Sequence, residues 1–276
     1  MAEMTMARFH EVMLVLYAVS LVFYFIDYLN KDRVAHRSAF WILLVVYLMQ
    51  SGFLIAQVIE MKRFPVLSLY EGIYFYAWLL ISLSMILQAF YRVGFAVFFL
   101  NVIGFIFMTI HTFTPSQAGQ TTIEHSLISE LLFIHITFAI LSYAAFAMSF
   151  VFAVLYLLVY NMLKNKKWTS RFTRLPSLQQ SMVGMKVSIY IGIPVLLISL
   201  ILGTQWANIV LDKWSILDVK IIGSFFLIII YSFVLFLQRS GRLSVNDFAW
   251  ANIFSFLFII INFFLGSKLS QFHFWM

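Results

Sequence analysis

No cysteine occurs among the 276 residues, which excludes disulfides, thiolate metal sites and thiol redox chemistry from this chain. Charge is almost as scarce. Only 11% of residues are charged, against about 25% in an average soluble domain. No HExxH motif or His-x₃-His pair is present to build a compact zinc site. No short internal repeat and no low-complexity segment appears beyond the apolar runs. The N-terminus does not read as a cleaved signal peptide, because its first apolar run is long and no small-x-small pattern follows it.

Apolar residues fill the space that charge leaves. They make up 63% of the chain, and the mean hydropathy is +0.97. A soluble fold has too little interior to hide that surface, so the solvent is lipid. Runs of mostly apolar residues recur, each long enough to cross a hydrocarbon core of about 30 Å. Eight spans are expected: Phe9–Tyr28, Ala39–Ile59, Leu69–Tyr91, Gly94–Phe113, Leu131–Tyr160, Val187–Trp206, Val219–Leu237 and Phe248–Gly266. The fold class is an all-α integral membrane protein, one polytopic domain over residues 1–276, with no room for a soluble domain.

The net charge of +7 is a topological signal in such a chain, not a nucleic-acid signal. Of the 18 Lys and Arg residues, twelve fall after the odd-numbered spans. They are Lys31, Arg33 and Arg37; Arg92; Lys164, Lys166, Lys167, Arg171, Arg174 and Lys186; and Arg239 and Arg242. Arg8, Lys62, Arg63, Lys213, Lys220 and Lys268 fall on the other side. The basic side is cytoplasmic by the positive-inside bias, which puts both termini outside. The protein is therefore expected in the plasma membrane of a bacterium as a multi-pass protein. Its largest cytoplasmic segment, Lys164–Lys186, carries six basic residues suited to anionic lipid. The fifth span is unusual. Leu131–Leu163 holds no formal charge and would form a helix about 50 Å long, so it tilts or projects beyond the core.

Five of the six histidines (His10, His111, His125, His135 and His273) fall at or beyond the outer ends of spans, as do most of the acids. Single imidazoles suit any interface, but five on one side suggest a metal, since imidazole is the commonest protein metal ligand. With no thiolate and no compact donor set, haem is the group that fits. It needs only one or two axial side chains, and these can come from distant parts of the chain. Trp206, Trp214, Phe272, Phe274 and Trp275 offer apolar walls on the outer side, and Lys213, Lys220 and Lys268 offer cations for propionates. His135 is the best single ligand candidate. It lies about one turn inside the outer boundary of its span, with Ala139, Ser142 and Tyr143 on the same helical face.

Four blocks carry a more specific signal: Arg63–Trp78 (RFPVLSLYEGIYFYAW), Ile134–Ala147 (IHITFAILSYAAFA), Gln205–Asn208 with Asp218–Lys220 (QWAN and DVK), and Asn262–Trp275 (NFFLGSKLSQFHFW). Together they resemble the cytochrome c assembly family of haem-handling membrane proteins, over a core of about residues 63–276. The third block resembles the ends of that family's tryptophan-rich segment, and the fourth its terminal histidine block. The resemblance implies that His135 and His273 ligate a non-covalent, b-type haem at the outer face. It also implies that Trp206, Asn208, Trp214, Asp218 and Lys220 line or support the site, with Glu71 as a buried hydrogen-bond acceptor. His10 and His111 lie outside the matched pair and rank as weaker metal ligands.

The departures bear on activity. Glycines and tryptophans of the family segment are missing, Val219 replaces its proline, and Gln238 stands where a further in-span histidine is usual. These losses remove a second, in-membrane haem ligand and count against a haem lyase. The branch of the family that the chain most resembles implies haem handling or regulation, linked to cytochrome c assembly and tetrapyrrole synthesis. Its partners there would be assembly components or glutamyl-tRNA reductase at the cytoplasmic face. A cytochrome c synthase component is the alternative. A transporter is disfavoured by the nearly bare mid-span regions, with Gly192–Pro194 the one kinked site. A scaffold without a ligand completes the set.

Overall fold

The computed structural model describes residues 2–30, 32–90, 94–114, 130–166, 175–210 and 215–269. They form α1 (Ala2–Asn30), α2 (Arg33–Met61), α3 (Leu69–Phe90), α4 (Gly94–Phe113), α5 (Glu130–Lys164), α6 (Leu178–Val210), α7 (Val219–Arg239) and α8 (Val245–Leu269). All eight are long and apolar enough to cross a membrane, and no strand occurs among the described residues. Lipid offers no partner to a bare amide, so each span satisfies its backbone internally.

Polar side chains sit where the backbone must start or stop. Asp32 caps α2, accepting from the Val34 amide at 2.8 Å. Asp218 caps α7 by accepting from the Lys220 amide at 2.9 Å. Ser177 and Gln180 form a reciprocal capping box ahead of α6, at 3.1 and 2.9 Å. Lys62 ends α2 in the left-handed region with φ 51°.

Several helices overrun the spans expected from hydropathy. α6 begins at Leu178 rather than Val187, because its capping box and polar first turns extend the helix beyond the apolar run. α5 runs for 35 residues, the over-long element anticipated from its uncharged sequence. The loop expected over Thr114–Ser129 lies, after Thr114, outside the described residues.

The helices cluster into two compact units, α1–α4 and α5–α8. In the first, α1 and α4 run antiparallel. The Tyr17 hydroxyl bonds Asn101 Oδ1 at 3.1 Å and lies over Gly104, where an added Cβ would be 2.5 Å away. Trp78 of α3 donates to Ser51 of α2 at 2.9 Å, and the Tyr74 hydroxyl donates to the Gln50 carbonyl at 3.2 Å. At the other end of this unit Asp27, His36, Gln88 and Tyr24 form a chain of polar contacts of 2.8–3.4 Å.

The second unit is built on the seam between α5 and α6. Phe152, Phe146 and His135 of α5 lie over Gly184, Gly192 and Gly203 of α6 in antiparallel register. Small residues let helix backbones approach closely in a membrane, where packing rather than water drives association. Pro194 sits inside α6 without ending it. α8 joins the seam through Asn252, whose amide donates to Ser149 Oγ at 2.5 Å. A second join is the stack of Phe150 on Phe256, with ring centres 4.6 Å apart.

Candidate functional site

His135 projects from the second turn of α5 into this seam. Its ring lies flat against Gly203. A Cβ there would come within 2.5 Å of the imidazole, so this close approach needs glycine. Nδ1 lies 2.6 Å from the Ser199 carbonyl oxygen. A carbonyl cannot donate, so Nδ1 carries the hydrogen, and Nε2 is the ring's lone-pair atom. Ser199 grips the same residue a second time, since its hydroxyl donates to the His135 carbonyl at 2.8 Å. Metal-binding imidazoles are commonly oriented in this way, by a carbonyl on the opposite nitrogen.

The surrounding candidates divide by position. Trp206, one turn beyond Gly203 on α6, is buried, whereas Asn208 is exposed. Asp218 is buried at the start of α7 and is used as its cap. Lys220 follows it, half-buried, close enough to His135 to act on it electrostatically. Beneath this end of the unit, Tyr143 of α5 hydrogen-bonds with Ser224 of α7 and Asn262 of α8. The Ser224 hydroxyl donates to the Lys220 carbonyl at 2.8 Å. Gly223 and Gly266 leave space for the Asn262 amide. This polar lock fixes α7, and with it Lys220, against α5 and α8. His273 and Trp214 lie outside the described residues, as do His125, Lys213, Phe272, Phe274 and Trp275.

The donor chemistry fits haem better than a bare ion. Among the described residues no group of three His, Asp or Glu side chains gathers to hold a metal. A single oriented imidazole with a buried indole and a nearby ammonium suits a macrocycle with one axial ligand and an anionic edge.

The remaining candidates belong to the first unit. Glu71 is buried in the first turn of α3 and closes a two-pronged ion pair with Arg63, at 2.8 and 3.0 Å. His10 and His111 meet, with ring centres 5.1 Å apart. Topology placed both on the outer side as weaker ligand candidates, but their direct contact depends on the register of α1 against α4. Sequence reasoning missed Ser199, Gly203 and Ser224. A backbone carbonyl has no sequence signature, but glycine inside an apolar run, as at Gly203, is a legible sign of close approach.

The family described as Cytochrome C assembly protein matches residues 66–273. The match thus includes His111 and leaves out α1, α2 and His10. The chain is 45% identical over 273 residues to Protein HemX of Bacillus subtilis, covering 99% of both chains. It is 37% identical over 266 residues to Protein HemX of Brevibacillus brevis, covering 96% of this chain and 97% of that one. A more distant relative is the cytochrome c biogenesis protein CcsA of Gloeobacter violaceus, 32% identical over 119 residues, or 42% of this chain and 35% of that protein.

Proposed function

Since the chain belongs to the cytochrome c assembly protein family, we propose that it binds haem non-covalently at the outer face of the bacterial plasma membrane, through His135 and His273, with both termini outside. The observation that carries this reading is the His135 ring. It is packed over Gly203 and held at Nδ1 by the Ser199 carbonyl at 2.6 Å, which fixes the ring's orientation. When bound, the haem would supply an iron that His135 and His273 would ligate.

The chain's own residues do the positioning. Trp206, Trp214, Asn208, Asp218 and Lys220 would line or support the haem, Lys220 as a cation for a propionate, with Asp218 capping α7. Glu71, fixed by Arg63, braces the start of α3. The protein's role is haem handling or regulation, tied to cytochrome c assembly and tetrapyrrole synthesis, rather than haem ligation to apocytochrome on its own. Gln238 in place of a histidine and the reduced tryptophan segment favour that choice over a synthase component. The basic segment from Lys164 to Lys186 is where a cytoplasmic partner such as glutamyl-tRNA reductase would dock.

The test is the visible absorption spectrum of the protein purified in detergent. A Soret band is expected that is lost in His135→Ala and in His273→Ala, while both variants keep the elution profile of the folded protein. A colourless protein that also fails to take up added haem would sink the reading.

A further inference from the structure

His10 and His111 are among the most deeply buried polar side chains of the first unit, with 6% and 1% of their surface exposed. Each directs Nδ1 at a backbone carbonyl: His10 at Met6, 3.0 Å away, and His111 at Tyr70, 3.1 Å away. Both Nδ1 atoms therefore donate, and both Nε2 atoms carry lone pairs. Each Nε2 is buried and has no hydrogen-bond partner among the described residues. An unmet buried polar atom costs about 1–3 kcal/mol, and here two of them, from facing helices, belong to rings in contact.

The surroundings show what would satisfy them. Phe53 lies 4.6 Å from the His10 ring, and Tyr70 and Tyr74 lie 3.8 and 4.8 Å from the His111 ring. The rings that meet this pair are aromatic, and among the described residues no group of three His, Asp or Glu side chains gathers there. One turn deeper the antiparallel register sets Met13 of α1 level with Met108 of α4, between the His10–His111 contact and the Tyr17–Gly104 contact. Both methionines are fully buried. Each is three residues from its histidine, on the same helical face. Gln50 donates to Met108 Sδ at 3.4 Å, and its own Oε1 is a further buried atom without a partner among the described residues.

We propose that His10, His111, Met13 and Met108 form a binding site for monovalent copper within the first helical unit. The spacing supports a small ion. An imidazole nitrogen sits about 2.0 Å from a bound metal, with the ring centre roughly 1.1 Å further on. With both Nε2 atoms turned to one ion, ring centres 5.1 Å apart would subtend about 110° there, a tetrahedral angle that leaves two positions for thioethers. A haem would need the two imidazoles trans, with centres about 6 Å apart and the macrocycle between them, and rings in edge contact leave no such gap. The donor set selects the ion. Thioether and imidazole together favour Cu(I). A divalent ion would bring a second charge into an apolar bundle, at a higher desolvation cost.

The experiment uses the full chain in detergent under anaerobic, reducing conditions, with Cu(I) supplied in competition with a chromogenic Cu(I) chelator. About one copper per chain is expected, with both nitrogen and sulfur scatterers in the X-ray absorption spectrum. His10→Asn and His111→Asn should each weaken retention at least about tenfold. Met108→Leu, a swap of similar volume, should keep the fold and lose sulfur scattering, which carries the test even if a histidine variant fails to fold. His135→Ala should keep the copper, separating this site from the haem site. Copper retention equal in the wild type and the His10→Asn/His111→Asn double variant would overturn the proposal. So would retention without sulfur scatterers, preference for zinc at these residues, or a Soret band that follows His10 and His111 instead of His135.

Discussion

In the second unit one histidine lies in the seam between two helices, its Nδ1 held by a carbonyl and its ring pressed on a glycine. In the first unit two histidines from facing helices meet inside an aromatic shell, each also held at Nδ1 by a carbonyl. The orientation device is the same in both places, and the enclosure differs. His135 is half-buried near one end of its unit, beside the basic Lys220. His10 and His111 are sealed among Phe53, Tyr70 and Tyr74. An open seam with a cation beside it suits a large anionic ring that binds by its face and edge. A sealed pair with thioethers below suits a single soft ion. Enclosure and donor set together distinguish the two proposed sites.

The largest expected effect tests whether the two regions are independent. Glu71 is only 7% exposed at its side chain and Arg63 25%. Removing the guanidinium breaks a largely buried ion pair, at a cost of about 3 kcal/mol. Arg63→Ala should therefore lower the unfolding temperature in detergent well below that of the wild type. If the units act separately, the variant should still take up haem with an unchanged Soret position. A lost Soret band in the folded variant would make the Arg63–Glu71 pair part of the haem site.

Gly203→Val comes next and acts on the seam alone. Its first added carbon would lie 2.5 Å from the His135 ring, so the imidazole must leave its position over α6. Overpacking of this kind costs about 1–3 kcal/mol. The more informative readout is haem, which should be lost or shifted in spectrum while copper uptake at the first unit continues. Gly203→Ala should give the same direction with a smaller shift.

How much of this could be read from residues alone follows from what each feature depends on. The eight spans were legible because lipid forbids exposed backbone and charge, and both constraints act on every residue of a run. Their ends were less legible. At α6 the helix extends back to Leu178 through Gln179, Gln180 and Lys186, which hydropathy counts as outside. His135 was legible as an imidazole in an otherwise uncharged run. The Ser199 carbonyl that orients it was not, since every residue carries a carbonyl. The His10–His111 pair depended on the register of α1 against α4. That register is fixed by contacts such as Tyr17 on Gly104 and Asn101, and the residues themselves do not advertise it.

The smallest effect separates the two ways Ser199 holds His135. Its carbonyl accepts from Nδ1 at 2.6 Å, and its hydroxyl donates to the His135 carbonyl at 2.8 Å while lying 3.1 Å from Nδ1. Ser199→Ala deletes only the hydroxyl. Hydrogen bonds between helices in a bilayer average about 0.6 kcal/mol, so stability should fall by about that amount. The backbone carbonyl stays, and with it the hydrogen bond that orients the ring through Nδ1. Haem affinity should accordingly change by less than about threefold, the equivalent of 0.6 kcal/mol, with the Soret maximum unmoved. A titration with added haem, read beside His135→Ala, decides the point. A Ser199→Ala variant as colourless as His135→Ala would mean that the hydroxyl, rather than the carbonyl, sets the orientation of the ring.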